Sequence, residues 1–352
     1  MVVKMMDKIR FDNLKEAADS GDGFAIMELA RCYHDGDGVK VDMQKAFKFI
    51  EKAVHIEYIP AYHLYGLMLI DGEGCIKDEM KGVEWVRKGA IENNSEAQCL
   101  LGRYYFEGAY GISKSYEKAL LWFEKAYNLG SIEASVLIGI MHLEGDGICV
   151  DSQTAVKYFK EAVEKEDEEA RYLLGMCMFD GNGIERNRVK GLRMIREAAN
   201  SDVIPANVFL AKAYSGQKEG VEKDEEETFK WCKKAAELGD MESQYNLGRF
   251  YELGEGIKQD YEQAFNWLNK ASEQGCLEAM NDLAAFYANG IYVKQNPRKA
   301  FELYKCAAIY EDIPEAVYNL GECYKVGFGT RKNLNEAKRL LSIAEKLGIT
   351  DM

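Results

Sequence analysis

The stretch YNLGRFYELGEGIKQDYEQAFNWLNKA, residues 245–271, contains two apolar patterns of helical period that are joined by a glycine-rich turn. Residues 318–344, YNLGECYKVGFGTRKNLNEAKRLLSIA, repeat this arrangement near the end of the chain. In both stretches a small residue follows a larger apolar one in the first pattern, and a Gly-x-Gly pair precedes the second. Each stretch therefore predicts a helix, a tight turn and a second helix.

The same arrangement recurs along nearly the whole chain. Counted from the small residue of the first helix, successive copies lie 36 or 37 residues apart, and these residues are Ala30, Gly66, Gly102, Gly139, Gly175, Ala211, Gly248, Ala284 and Gly321. A constant period of this length is typical of stacked helical repeats, in which each unit contacts only its neighbours. The spacing predicts an all-α protein made of nine copies of one two-helix unit.

The acidic turn YHDGDGVKVD, residues 33–42, has to be distinguished from a calcium loop. An EF-hand loop needs oxygen ligands at its first, third and fifth positions, a glycine at the sixth and a glutamate at the twelfth. With Gly38 as the loop glycine, Tyr33 comes first and Gln44 comes twelfth, and the frame on Gly36 also lacks the ligands. We therefore expect no metal in these turns.

The polar residue after each turn has a simpler explanation as a helix cap. Nine residues of this position are Asp, Asn or Ser: Asp42, Asp78, Ser115, Asp151, Asn187, Asp224, Asp260, Asn296 and Asn333. These types accept backbone N–H bonds at helix N-termini, each contributing about 0.5–2 kcal/mol. The turns are thus predicted to reverse the chain and to start the second helix.

The second helix of each unit carries a predicted packing face. An alanine recurs near its end, and Gly89 replaces it once. All four tryptophans, Trp85, Trp122, Trp231 and Trp267, fall at one position of this helix. A large aromatic residue at one repeated position predicts a place in the core between stacked units.

The repeated motif resembles the Sel1-like repeat family, a relative of the tetratricopeptide repeats, and residues 245–271 and 318–344 carry the resemblance most clearly. The resemblance covers residues 21–348 and implies a right-handed α/α solenoid, or superhelix, of about nine repeats in one continuous domain. Residues 1–20 are expected to form an N-terminal capping helix that is half of a repeat, and residues 349–352 a tail.

Two repeats depart from the pattern. Repeat six lacks the Gly-x-Gly pair within residues 214–229, and repeat eight has Tyr292 in place of the second glycine. We expect the turns of these two repeats to differ in shape from the others.

Composition narrows the range of partners. The 352 residues include 59 acidic and 45 basic ones, a net charge of −14, which opposes binding to nucleic acid and anionic lipid. The nine cysteines form no repeated pair, and no apolar run approaches a membrane span. We expect a cytoplasmic protein with no nucleic-acid partner, no membrane insertion and no cofactor, while delivery by a dedicated secretion system stays open.

The histidines offer little for catalysis. Four are present, without an HxxxH or HExxH pair, and His142 stands where other repeats have tyrosine. A metal shared by His34 and His63 would require neighbouring first helices to bring the two side chains together. No carboxylate stands outside a repeat position, so an enzyme is the less favoured interpretation and no catalytic residue is proposed.

The resemblance implies that the first helix of each unit lines a concave surface that binds a partner protein or peptide. Counting along these helices gives the inward apolar positions Leu67, Ile70, Phe106, Val136, Ile140, Leu143, Tyr172, Met176 and Phe179. The rim would contain Arg31, Arg103, Lys212 and Arg249 with Asp35, Glu107, Glu144 and Asp180. Alternatively, tight curvature buries the same apolar side chains against the next unit.

We therefore predict a non-enzymatic scaffold or adaptor, of which a monomer is slightly favoured. The alternative is a host-directed or antagonism-related protein, such as a delivered factor or an immunity protein that inhibits one enzyme. An enzyme of the kind proposed for cysteine-rich secreted relatives comes third. No motif identifies the partner.

Overall fold

The computed structural model describes residues 8–254, 257–310 and 313–349. All regular elements in these ranges are helical: 19 α-helices, a 3-10 turn at Ile59–Ala61 and a π-helical segment at Ala213–Gln217. The predicted N-terminal helix is present as α1 (Lys8–Asp19), while residues 1–7 and most of the predicted tail lie outside the described residues. The prediction of an all-α repeat protein is confirmed.

Nine helix pairs follow α1, and the first helix of each pair is here called the A helix and the second the B helix. The pairs are α2 (Gly23–Asp35) with α3 (Met43–His55), α4 (Tyr62–Asp71) with α5 (Glu79–Ile91), α6 (Ser95–Glu107) with α7 (Tyr116–Asn128), α8 (Ile132–Glu144) with α9 (Ser152–Glu164), α10 (Glu168–Asp180) with α11 (Arg188–Asn200), α12 (Ile204–Lys212) with α13 (Glu225–Glu237), α14 (Met241–Leu253) with α15 (Tyr261–Glu273), α16 (Leu277–Asn289) with α17 (Pro297–Ala307), and α18 (Pro314–Val326) with α19 (Leu334–Lys346).

The chain divides into two compact units, residues 1–191 (unit 1) and 192–352 (unit 2), and the division falls within α11. Within each unit, substantial contacts join helices that are adjacent in the chain. Two pairs of successive A helices, α4 with α6 and α16 with α18, also make such contacts. This is the neighbour-only packing of a repeat array. A single continuous domain over residues 21–348 stays a prediction.

The caps predicted at the start of the B helices are confirmed in all nine repeats. In each, the side-chain oxygen accepts the backbone N–H three residues later at 2.9–3.3 Å. Asp151 also accepts a 2.6 Å bond from the Thr154 hydroxyl, and hydrogen bonds from that side chain and its backbone N–H lower the pKa of Asp151. The carboxylates that follow the turns therefore act as N-caps, because they accept backbone hydrogen bonds at the start of the B helices.

In repeat two the second glycine of the turn is needed because the preceding repeat lies against it. Gly74 has φ +70, and a Cβ at that position would lie 2.0 Å from the carbonyl oxygen of Met43, the first residue of the preceding B helix. In repeat eight Tyr292 takes the same left-handed conformation, with φ 60. The expectation of a different turn there was therefore wrong at Tyr292, since this residue adopts the glycine conformation.

The turn of repeat six does differ, as predicted. The A helix α12 ends at Lys212 and the chain continues through one π-helical segment, within which Gly216 has φ 92. Asp224 still starts α13 with the standard cap, because its carboxylate accepts the N–H of Glu227 at 3.0 Å. The irregularity is thus confined to the link between the two helices.

The tryptophan position is not the centre of the core, which corrects the sequence prediction. Only Trp231 is buried, at 1% exposure, while Trp85, Trp122 and Trp267 are half-buried. Each tryptophan ring lies under the lysine three residues later, as Lys125 does with Trp122 at 4.1 Å. The enclosed column is one residue further along the B helix, and its fully buried members are Val86, Phe123, Phe159, Ile195 and Leu268.

Candidate protein-binding face

The candidate site is the surface of the A helices that points away from their own B helices, here called the A-helix face. In unit 1 five of the predicted apolar residues, Leu67, Ile140, Leu143, Tyr172 and Met176, are half-buried on α4, α8 and α10. Burial raises the pKa of the Tyr172 hydroxyl, with a smaller contribution from Asp180. These side chains keep part of their surface accessible.

Three predicted residues do not belong to the accessible face. Ile70, Val136 and Phe179 are exposed by only 1%, 4% and 3%, so they are core residues. Phe106 is half-buried but packs edge to face on Tyr116, with ring centroids 5.1 Å apart. Burial therefore removes these three positions from the accessible face, and the apolar floor is not continuous.

A cleft of about 470 Å³ opens on this face between repeats one and two, and is here called the repeat-one cleft. Its base is formed by buried apolar residues of three helices, Ala30, Ala46, Ile50 and Met68. Its walls are the half-buried side chains of Met27, Leu64 and Leu67. The sequence predicted Leu67 for the binding surface but not Met27 or Leu64.

The rim of the repeat-one cleft is acidic. It contains four carboxylates and a single guanidinium: Glu28, Asp35, Asp71, Glu73 and Arg31. Arg31 is bound to Glu28 of its own helix at 2.8 Å. His34 lies with its Nδ1 2.7 Å from Asp35 and its Nε2 3.8 Å from Glu73. The cleft thus carries three more carboxylates than guanidinium groups.

The predicted basic residues of the rim are engaged within their own units. Arg103 binds Glu133 of the next repeat at 2.7 Å, and Lys212 binds Glu242 of the next repeat at 2.9 Å. Lys212 and Arg249 lie in unit 2, whereas the other predicted site residues lie in unit 1. Arg103 and Lys212 therefore connect successive repeats rather than forming a free positive surface.

The A helices of unit 1 share an acidic final residue. These residues are Asp35, Asp71, Glu107, Glu144 and Asp180, and all five are exposed. Within the described residues, the last four are held in no ion pair with lysine or arginine. The sequence reasoning had named all but Asp71, which stands at the same repeat position.

The A-helix face of unit 2 carries a polar network instead, which the sequence reasoning missed. Arg249 Nη1 contacts Glu252 at 3.0 Å and Asp282 at 3.3 Å. Burial raises the pKa of both carboxyls, although the Arg249 charge opposes the rise. The Asn319 amide donates to Asn281 Oδ1 at 3.0 Å and extends the network to α18. A signal was present, because Asp282 stands at a position where repeats two to five have leucine.

The histidines and cysteines form no chemical centre in the described part of the chain. His63 is half-buried and its pKa is lowered by this desolvation, while His142 stacks on Tyr158 with centroids 6.0 Å apart, as predicted for a substitute for tyrosine. All nine cysteines are free thiols. No group of three or more His, Cys, Asp or Glu side chains is placed to hold a metal ion among the described residues.

No helix in the described ranges combines the length and the apolar character that a membrane crossing requires.

Comparison with known proteins adds a family match over most of the chain. The Sel1 repeat model matches nine segments: residues 23–55, 59–94, 95–131, 132–167, 168–203, 204–240, 242–276, 277–309 and 314–349. Each segment corresponds to one of the nine helix pairs.

Two curated yeast proteins are similar in sequence. Chitin synthase regulatory factor 3 of Schizosaccharomyces pombe is 30% identical over 135 residues, which cover 37% of this chain and 14% of the relative. Chitin synthase regulator SKT5 of Saccharomyces cerevisiae is 26% identical over 263 residues, which cover 72% of this chain and 32% of the relative. The chain thus spans a third or less of the length of these regulators.

A solved structure shares the fold over nearly the full chain. It is a protective antigen present in uropathogenic Escherichia coli strains, and it matches 96% of this chain and 80% of its own, with a TM-score of 0.53 and 26% identity.

Proposed function

The chain belongs to the Sel1 repeat family, and from that premise we propose that it is a non-enzymatic scaffold that binds a segment of a partner protein on the A-helix face of unit 1. Proteins of this family typically act as scaffolds that bind other proteins. The proposal assigns that role to one surface of this chain and to named residues.

The observation that carries the proposal is the half-buried apolar row of Leu67, Ile140, Leu143, Tyr172 and Met176. Substantial contacts join the A helices to the neighbouring B helices and, for α4 and α6, to each other, and no third layer of helices covers the row within the described unit. Apolar surface left accessible in this way is typical of an interaction site. Binding energy on such surfaces comes mainly from a few enclosed side chains.

The yeast relatives support a role through binding. Both are named as regulators of chitin synthase, and we extend to this chain only the general idea of control through association. The nine free thiols agree with a reducing compartment, so we place the protein in the cytoplasm as part of the proposal.

A second candidate function is a host-directed one, and the match to the protective antigen of uropathogenic strains favours it. Both candidates require a partner-binding face, so they differ in the partner and not in the site. Identification of the captured protein decides between them, because a host protein supports the second and a protein of the same cell supports the first.

The test introduces charge into the row at two half-buried positions. Ile140→Asp with Met176→Asp is expected to reduce capture of the partner from lysate of the source cells at least tenfold, which corresponds to about 1.4 kcal/mol. The control is Ile91→Asp with Leu121→Asp, at apolar residues that are 64% and 49% exposed on B helices. Captured proteins are quantified by mass spectrometry, and circular dichroism and melting temperature verify the fold.

Equal capture by both double variants would place the binding surface elsewhere. Unfolding of the Ile140/Met176 variant alone would show that these residues are core. Phe179 is unsuitable for such a test because this side chain is buried.

A further inference from the structure

The repeat-one cleft combines an apolar interior with an acidic rim, and both parts belong to the same opening. Its volume of about 470 Å³ lies within the range of pockets that enclose ligand groups. The residues at the base are apolar and buried, and the side chains that form the walls, Met27, Leu64 and Leu67, are partly accessible to solvent. An enclosed apolar opening of this kind suits one or two large side chains of a protein segment.

Two acidic residues of the rim, Asp35 and Asp71, are not explained by helix stability. Asp71 ends α4 at the C-terminal side, where the helix dipole favours a positive charge and disfavours a carboxylate. The same applies to the acidic ends of the other four A helices of unit 1. In unit 2 the A helices end in Lys212, Leu253, Asn289 and Val326, so the repeat itself does not require an acid there.

The charge distribution of the chain agrees with this difference. Residues 1–191 contain 33 acidic and 24 basic residues, a difference of −9, whereas residues 192–352 contain 26 and 21, a difference of −5. Exposed charges interact over about 8–10 Å at physiological ionic strength. A partner that approaches the cleft therefore meets a negative potential from its rim.

We propose that the repeat-one cleft receives an apolar side chain from a partner segment that also carries lysine or arginine, whose charges pair with Asp71 and Glu73. The inference rests on the proposed function, since it names the chemistry of the partner for the same face. The apolar anchor gives affinity, and the basic residues give orientation and speed of association.

The experiment uses the full chain and a phage-displayed library of random twelve-residue peptides as the probe. Selected peptides are expected to place lysine or arginine within a few residues of an aromatic or branched aliphatic residue. Their synthetic, dye-labelled forms are then titrated with the protein, and the dissociation constant is measured by fluorescence anisotropy.

Removal of the two acids, Asp71→Asn with Glu73→Gln, is expected to raise the dissociation constant about five- to thirty-fold. The matched control, Glu84→Gln with Glu124→Gln, removes the same charge from exposed positions of α5 and α7 and is expected to leave it unchanged. Added salt weakens binding to the wild type more than to the first variant. Glu73 is exposed, so Glu73→Lys retains the fold and should abolish binding.

The remaining outcomes overturn the inference in distinguishable ways. Neutral or acidic peptides that lose binding in the Ile140/Met176 variant would contradict the basic partner and leave the proposed function standing. Selected peptides that bind all variants equally, or an absence of cleft-dependent peptides, would contradict the inference at this cleft. Concentration-dependent self-association that disappears in Glu73→Lys would identify a second copy of the chain as the occupant instead.

Discussion

In the B helices of repeats two, three, four and seven, two consecutive large side chains face the stack, and the structure encloses only the second of them. In α13 and α19 the first residue, Trp231 or Leu340, is itself buried. In α7 these are Trp122, which is half-buried under Lys125, and Phe123, which is 1% exposed. Sequence periodicity did not separate the two because one helical residue corresponds to 100° of rotation, and both lie on the apolar half of the helix. The core position was predicted for the tryptophan because it is the larger of the two side chains.

Phe123→Ala is expected to destabilise the protein more than Trp122→Ala, although tryptophan is the larger residue. A fully buried phenylalanine costs about 3–5 kcal/mol when it is reduced to alanine. Trp122 keeps part of its surface accessible, so its removal should cost roughly half as much. The midpoint of urea denaturation, followed by circular dichroism, measures both variants. A larger loss for Trp122→Ala would restore the original core assignment.

The accessibility of the candidate site residues was predictable only in part. The sequence placed Leu67, Ile140 and Met176 on the accessible side of the A helices, where they are half-buried, because A-helix positions follow from the repeat alignment. It also placed Ile70 and Phe179 there, which are core residues, because the depth of a side chain depends on the helices packed beside it. The cleft between repeats one and two required three helices to be in place, and no local pattern reveals such an opening.

Among the elements, the turns between A and B helices were the most predictable, since their chemistry is local. The residue types that cap helices are few, and all nine predicted caps accept the expected backbone bond. The turn of repeat eight was predicted wrongly at Tyr292, whose positive φ is a conformation that side chains rarely adopt. Packing against the neighbouring repeat can impose a conformation that the residue type alone disfavours.

Gly74 and Gly111 allow that packing effect to be measured separately from the backbone effect. Both are the second glycine of their turn, with φ +70 and +75. A Cβ on Gly74 would meet Met43 at 2.0 Å, whereas a Cβ on Gly111 would meet nothing within 4 Å. Alanine at either position incurs a left-handed backbone cost of roughly 1–2 kcal/mol.

We therefore expect Gly74→Ala to be more destabilising than Gly111→Ala by about 1–3 kcal/mol, the usual range for overpacking. Thermal and urea denaturation of the two single variants provide the comparison. Equal losses would mean that the close approach of the preceding repeat relaxes without significant energy, and that the second glycine is required for its backbone conformation alone.

For the molecule as a whole, the repeat architecture makes stability depend on position along the array. The B helix α9 contacts the A helices α8 and α10, whereas among the described helices α19 has substantial contact with α18 alone. The sequence predicted this neighbour-only arrangement from its period. It did not predict the division of the chain at residue 191, because the boundary falls at Gly191 inside the helical pattern of α11, and no proline or linker pattern marks it.

Leu340→Ala and Phe159→Ala should therefore unfold the chain differently, although both residues are buried, at 2% and 0% exposure. Each substitution removes about 2–5 kcal/mol of local packing. In α19 the loss falls on a repeat with one neighbour, so Leu340→Ala should release the last repeat in an early step with about a ninth of the helical signal. The last of the four tryptophans in the sequence is Trp267, so tryptophan fluorescence should not report this step, whereas circular dichroism should.

Phe159→Ala should instead lower the midpoint of the main transition without an early step, because α9 is packed between two neighbouring helices. Coincident shifts of both probes in Leu340→Ala would show that the terminal repeat unfolds together with the rest of the chain, and that neighbour contacts are strong enough to transmit the loss along the array.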